Sequence, residues 1–510
     1  MVNKWRWLGL IFLISFLLHA FQIGAAGRTW DEQFKFDLGF QGLQYLTRLE
    51  TDPKFWQEGL EHPMIGKYIY GLTARLHMHP LLTQNDVTPK IIEDLNNGKY
   101  AIHMYGGQTV LVDYDWIGLR LTSALLNSLG VLFTFLLAWE LFGSNIALAA
   151  AGILMLTPRF LAFGKQVSFE SETIAFFMML VYLFIKFLNN RKWQKSIKWY
   201  IVFGIISGIL LGIRYNNGFI FLFFLGLCLL AKFWQPKLLL IPLFSILTFI
   251  ISWPLLWNNP LKYFLLSAGQ DAVRPIHASI YYLQSLLYTT PVVILIIFLI
   301  GLVIVINKII KKKDFNSIFL LWWLLSVLIF FSLLSITTGG TRYIYFIHPV
   351  ISIIAAIGLF KLVSLLKVSK YYLLIPLLVY LVFINFLFHP YYLDYYNEII
   401  GGPKGAIRNK LEFSWWGEGQ KEAVVWLDKN AKKDALVSLK VTPLYVTPAF
   451  RVDLKVKQEI DEKNLTDYLI VSYTDENKIS KTLKKKYKLI YSANVLDAPL
   501  VSVYEKNNYK

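Results

Sequence analysis

The sequence is short of the residues that build soluble catalytic machinery. It holds one cysteine, Cys228, inside an apolar run. That excludes a disulfide framework and a thiolate metal site, and it leaves the redox compartment unreadable. Only 16% of the 510 residues are charged, well under the share of a soluble globular domain. There is no Gly-rich phosphate loop of the nucleotide type, no His-Glu-x-x-His spacing and no nucleophile elbow, so a nucleotide-activated donor has no support. His77-x-His79 is a weak metal pair and reads more simply as a surface pair. No solenoid period and no low-complexity stretch is present. Acidic residues are also scarce: 33 Asp and Glu stand against 51 Lys and Arg, a formal charge of +18. The basic excess falls in short clusters between apolar segments and in the C-terminal tail, which is a topological pattern and not a nucleic-acid surface.

What is abundant is apolar surface. Hydrophobic residues make up 56% of the chain and aromatic ones 16%, with a mean hydropathy of +0.48. Such a chain sits in lipid, its rings anchoring helix ends at the two interfaces. Apolar runs at 8–26, 117–138, 145–162, 172–188, 199–213, 217–233, 237–256, 288–307, 317–335, 344–361 and 371–388 predict about eleven transmembrane helices. The first run is taken as an uncleaved span because ten more follow it. Four basic clusters, around Arg191 to Lys198, Lys232 to Lys237, Lys308 to Lys313 and Lys361 to Lys370, fall on one side if the N-terminus is cytoplasmic. This assignment makes the protein a multi-pass component of the cell membrane. It places a long loop, 27–116, and everything after residue 388 outside.

The predicted organisation is therefore a multi-spanning α-helical domain over 1–388 and a small extracytoplasmic α/β domain over 389–510. In the latter, Glu418 to Asn430 has helical periodicity, and Ala435 to Val441, Tyr468 to Tyr473, Leu489 to Val495 and Leu500 to Tyr504 alternate as strands.

Candidate chemistry gathers at the outer ends of the spans. Asp31 and Glu32 follow the first span at the mouth of the long loop, where an ordinary polar flank is the plainer reading and a general base toward a hydroxyl the sharper one. His62 and Lys67 fall near the start of a predicted helix after Pro63, a place suited to anions. Glu170 opens a span, and a carboxylate pointing into a bundle is costly without a partner or a role. For Arg159 and Lys165 just before it, snorkelling to the interface is expected. Arg214 and Arg342 also face outward in this topology, and each guanidinium fork suits phosphate oxygens. Arg342 is the stronger of the two because its turn, Gly339-Gly340-Thr341, is Gly-rich.

Taken together these residues resemble the GT-C membrane glycosyltransferases, in particular the protein O-mannosyltransferase and aminoarabinose-transferase-like group (glycosyltransferase family 39/83-like). Asp31-Glu32 is similar to the family's acidic pair after the first span. His62-Pro63-Met64-Ile65-Gly66-Lys67 is similar to its His-Pro-Pro-Leu-Gly-Lys segment, with Met64 departing from the second Pro. Trp253-Pro254-Leu255-Leu256-Trp257 resembles its aromatic-Pro turn, and Arg342-Tyr343 its late Arg-Tyr segment. The tail stretches His389 to Asn397 and Trp415-Trp416-Gly417-Glu418-Gly419 look like those of prokaryotic members. The resemblance implies transfer, with inversion, of a sugar from a polyprenyl-phosphate donor to a hydroxyl of a protein, lipid or glycan acceptor on the outer face. It makes Asp31 the base, with Glu32 orienting the acceptor or tuning Asp31. It assigns the leaving phosphate to Lys67, Arg342 and Arg214, and substrate positioning to His62, Glu170 and Tyr343, with no metal and no cofactor. A polytopic transporter and a lipid-linked glycan ligase are the alternatives.

Overall fold

The computed structural model describes residues 4–56, 60, 62–77, 100–105, 108–113, 116–272, 279–333, 339–442, 450–451, 453–457 and 464–507. His79 lies outside them, so the His77-x-His79 pair is not described.

In a bilayer each backbone N–H and C=O must be satisfied within its own segment, which makes every long apolar run a helix. Helix α1 (Lys4–Ala20) leads into a long loop, which carries α2 (Glu32–Thr47), α3 (Met64–His77) and a hairpin of β1 (Tyr100–Tyr105) with β2 (Gln108–Asp113). Then come α4 (Trp116–Phe142), α5 (Ser144–Leu156), α6 (Pro158–Gly164), α7 (Phe169–Leu188), α8 (Ile197–Ile213), α9 (Phe219–Leu230) and α10 (Leu240–Ile251). The short α11 (Tyr281–Thr289) precedes α12 (Val292–Lys312), α13 (Phe315–Leu333), α14 (His348–Leu366) and α15 (Tyr371–Phe388).

An apolar helix thus stands at each of the eleven expected positions, but length makes only some of them full spans. Six are long and apolar enough to cross a membrane, and α5 with α6 makes a seventh if that pair, bent by 69°, counts as one. The bend has a local cause: Thr157 is extended and Pro158 at the start of α6 has no N–H to continue the ladder. Helices α1, α8, α9 and α10 are shorter, at 12 to 17 residues.

Two features place the helices of this loop. Gly39 of α2 and Gly71 of α3 lie at their crossing, where a Cβ on Gly39 would strike the carbonyl of Lys67 and one on Gly71 the backbone of Gly39. Only small residues allow that approach. The Trp253 to Leu256 turn packs with Trp56, Leu60, Met64 and Phe249 in an apolar cluster of its own, so this aromatic-Pro segment wedges the loop against α10 by packing.

The tail forms α16 (Gln420–Asn430) and a five-stranded sheet of β3 (Leu436–Lys440), β4 (Lys455–Lys457), β5 (Tyr468–Ser472), β6 (Tyr487–Val495) and β7 (Ala498–Lys506), in the order β4-β3-β5-β7-β6. Strand β3 runs parallel to β4 and β5, and β7 antiparallel to β5 and β6. All four expected strands are present. Strand β4 was not foreseen, because Lys-Val-Lys at an exposed edge has neither the length nor the buried face that gives alternation. The tail docks on the loop after α1 through a backbone bond from Trp30 N–H to the Trp416 carbonyl, 2.9 Å.

Candidate active site

The site begins with the segment between α1 and α2. Arg120, near the start of α4, donates to the carbonyls of Ile23 (2.7 Å) and Gly27, and to both oxygens of Glu32 at 2.8 and 2.6 Å. Glu32 also accepts the backbone N–H groups of Thr29 (2.8 Å) and Val167 (2.9 Å) and is wholly buried. Burial alone would raise its carboxyl, but Arg120 and those N–H groups outweigh it and hold the group below the usual range. Glu32 is therefore an architectural acid that ties the loop to α4 and to the segment before α7.

Asp31, its neighbour, points elsewhere. It caps α2 in the left-handed conformation, φ 70°, and this turns its side chain away from that of Glu32. The two carboxylates do not converge, contrary to the mutual tuning that adjacency suggested. Asp31 Oδ2 lies 2.7 Å from Arg342 Nη2 and 4.0 Å from Lys35 Nζ, with its side chain 23% exposed. Desolvation raises the Asp31 carboxyl, and Arg342 and Lys35 more than cancel it, so the group stays ionised far below the ordinary range.

Arg342 is the hub. Its Nε donates to Glu170 Oε1 at 2.8 Å, and Arg214 Nη1 reaches the same oxygen at 2.6 Å. Glu170 thus bridges two guanidiniums from segments distant in sequence, which answers the cost of a carboxylate at the head of a buried helix. The Arg342 guanidinium lies over the Trp416 ring at 4.8 Å, and Arg214 lies between the rings of Phe169 (5.4 Å) and Tyr343 (5.3 Å). The turn that aims Arg342 has Gly339 at φ 81° and Gly340 at φ 57°, a pair of left-handed residues that glycine adopts without strain. Glu412 of the tail clamps this turn. It accepts Gly339 N–H at 2.9 Å, Gly340 N–H at 3.0 Å and the Tyr281 hydroxyl at 2.8 Å.

Two lysines complete the cluster. Lys67 is fully buried and donates to the His62 carbonyl at 2.9 Å. Lys35 donates to the Val167 carbonyl at 2.8 Å and lies 5.1 Å from the Phe169 ring centroid. Burial pulls the Lys35 ammonium down to about 8, against the opposing pull of Asp31. The His62 ring meets Phe169 edge-on at 5.4 Å. Burial, then Arg214, Lys67 and Arg342, push its imidazole well below its ordinary value, so it is neutral at pH 7.

All eight residues singled out from sequence thus lie in one neighbourhood, Glu32 behind it and the others around it. Lys35, Arg120 and Trp416 join them. Lys35 was legible as the residue one helical turn after Asp31, and Arg120 as a lone charge at the head of an apolar run. Arg159 and Lys165 do not snorkel: both are buried, and Lys165 caps the end of α1 through the carbonyls of His19 (3.2 Å) and Phe21 (2.6 Å). Among the described residues no group of three or more His, Cys, Asp or Glu is arranged for a metal ion.

Cations outnumber the carboxylates they touch, and a partly open carboxylate stands at their edge. Known proteins share this architecture. ArnT from Cupriavidus metallidurans bound to undecaprenyl phosphate superposes with a TM-score of 0.51 at 10% identity, over 98% of each chain. The apo state of the same protein gives 0.50 at 11% identity, over 98% of this chain and 97% of that one. The chain has the GT-C fold. The family model described as dolichyl-phosphate-mannose-protein mannosyltransferase matches residues 56–264. This GT-C chain therefore carries that family's segment over less than half its length, including His62, Lys67, Arg120, Glu170 and Arg214 and leaving out Asp31 and Arg342. No curated protein matches it by sequence.

Proposed function

We propose that the protein is a glycosyltransferase that moves a sugar from a polyprenyl-phosphate donor, of the dolichyl-phosphate-mannose kind, to an acceptor hydroxyl on the outer face of the cell membrane. The observation that carries this reading is the contact of Asp31 with Arg342 at the rim of a cluster built from Arg214, Arg342, Lys35 and Lys67. A carboxylate stands beside a cluster of cations whose charge suits a phosphate.

In this reading Asp31 takes the proton of the acceptor hydroxyl as its oxygen attacks the anomeric carbon. The bond from that carbon to the lipid phosphate breaks on the opposite face, its electron pair leaving with the phosphate and the configuration inverting. Arg342, Arg214 and Lys67 hold the charge that develops on the departing oxygens, the electrostatic contribution that usually dominates. Glu170 and Tyr343 aim the two guanidiniums, neutral His62 positions a substrate, and Glu32 fixes the loop that presents Asp31. No metal or cofactor takes part.

Arg342 also links binding to basicity. A donor phosphate competes with Asp31 and Glu170 for the same fork, and a carboxylate that loses its cation becomes a stronger base. Substrate would thus activate its own base. ArnT from Cupriavidus metallidurans binds undecaprenyl phosphate, which supports a donor of this chemistry here.

The charged groups sit at helix ends: after α1, at the head of α7, at the foot of α8 and before α14. Transporters place such groups at interrupted helices in mid-membrane, so this arrangement weighs against transport. A cytoplasmic N-terminus, an outer tail and a division of the chain near residue 388 belong to the same reading.

The test is to incubate membranes holding the protein with labelled polyprenyl-phosphate sugars and compare it with Asp31→Asn. Transfer is expected from the intact protein alone. Equal transfer from both would remove Asp31 as the base, and none from either with any donor would remove the reading.

A further inference from the structure

Arg159 is a buried charge that the transfer reaction leaves unused. It lies in α6 and is 1% exposed, yet no carboxylate stands within 4.0 Å of it among the described residues. Its Nε has no hydrogen-bond partner. The Tyr396 ring, 5.2 Å from its Cζ, and the phenol of the same residue are what compensate it. The carboxyls of Asp394 and Glu418 stand beyond ion-pair distance, and burial pushes them up to about 6 and about 8, so of the two only Asp394 is largely ionised at neutral pH. A guanidinium taken out of water without a directly paired counter-charge is costly, and a ring face returns only part of that cost.

This guanidinium opens on a cleft of about 270 Å³ whose lining includes Arg159, Lys410, Tyr281, Gln284, Ser285 and Glu412. Neither Asp31, Lys67 nor Arg342 lines it. Both oxygens of Glu412 accept from the Gly339-Gly340 turn and Tyr281, so this carboxylate is held in place on the cleft wall and makes no direct pair with Arg159. Lys410 is exposed at the rim and makes no ion pair among the described residues. The cleft therefore offers two cations against the single carboxylate of Glu412, with the donors of Gln284 and Ser285, an inventory whose positive balance fits an oxyanion.

The position of α11 adds the second half. Its polar residues line the cleft, while Leu283, 57% exposed, Ile280 and Leu287 are turned outward. A short amphipathic helix beside the outer ends of spans lies in the membrane interface, with its apolar face toward acyl chains. An anion reaching Arg159 past this helix arrives at headgroup depth.

We propose that the cleft is a second anion site, which binds the phosphate of an amphiphile lying at the outer membrane surface. It is separate from the cation cluster beside Asp31 and does not depend on the transfer reaction.

The test titrates the purified full-length protein in a neutral detergent with dihexanoyl-phosphatidylglycerol and, separately, with inorganic phosphate, by calorimetry. Saturable phospholipid binding is expected. It should weaken tenfold or more in Arg159→Gln and in Lys410→Glu, and stay within twofold in Lys67→Met. Lys410→Glu alters an exposed side chain, so it tests the site even if Arg159→Gln does not fold. Binding by inorganic phosphate with the same dependence on Lys410 also supports the site and assigns it to a soluble phosphate. Affinity unchanged in Lys410→Glu, affinity lost in Lys67→Met, or no saturable binding by either probe would overturn the proposal.

Discussion

Arg342 donates from Nη2 to Asp31 and from Nε to Glu170, at 2.7 and 2.8 Å, across 311 and 172 residues of chain. One guanidinium therefore fixes the spacing between a partly exposed carboxylate and a buried one. Lys has no such fork, so its substitution here is not conservative. We expect Arg342→Lys to lower kcat/KM for a polyprenyl-phosphate sugar by roughly 10²-fold or more, with Arg342→Gln lower still. Steady-state kinetics in which Arg342→Lys keeps more than half the wild-type value would contradict the shared role.

Asp31→Asn is expected to retain donor binding and to lose on the order of 10²–10⁴ in kcat, the usual contribution of a positioned base. Glu32→Gln acts differently. It weakens the Arg120 anchor, so the fall in activity should track a fall in thermal stability.

The two acids also separate by pH. Glu32 has a folded-state value below its ordinary one, so its stabilising contribution is present above the ordinary value and is lost as pH falls through the folded one. The wild-type protein should lose melting temperature on acidification below about pH 5, the onset expected for a depressed carboxylate, more steeply than Glu32→Gln. Parallel curves would show that Glu32 carries no such linkage.

Lys35 bounds the alkaline side. Its ammonium is lowered to about 8, so the cation is present below that pH and lost above it. If it helps to hold the leaving phosphate, activity should fall as pH rises through about 8, and Lys35→Met should be less active with that limb abolished. On the acid side the wild-type kcat/KM profile should stay flat down to pH 5, because Arg342 keeps Asp31 of the free enzyme ionised.

The crossing of α2 and α3 offers a test remote from the chemistry. A methyl group on Gly39 would meet the Lys67 carbonyl, so Gly39→Ala should push α3 away and carry Lys67 with it. KM for the donor is expected to rise at least tenfold, with a smaller effect on kcat. An unchanged KM would detach Lys67 from donor binding.

Much of this was legible in the order of residues. Apolar runs located the helices, because the bilayer leaves the backbone no other choice. Sparse charges at their outer ends marked the site, because lipid makes idle charge expensive. What could not be read was direction. Asp31 and Glu32 are adjacent, and only the left-handed backbone at Asp31 decides that one faces Arg342 and the other Arg120. Arg120 and Glu32 are 88 residues apart and no local pattern pairs them. Helix length was equally hidden, since an apolar run does not say where Thr157-Pro158 will bend it.

Trp416 gives the tail a different standing. Its ring covers Arg342 and its carbonyl receives the Trp30 N–H beside Asp31, while Glu412 grips the turn that aims Arg342. A protein cut after α15 would keep every helix of the bundle and lose the ring and the clamp that hold Arg342. Under the proposed transfer, the segment that looks from sequence like an appended module is a structural part of the site, so a hydrophobic bundle expressed without it should be inert.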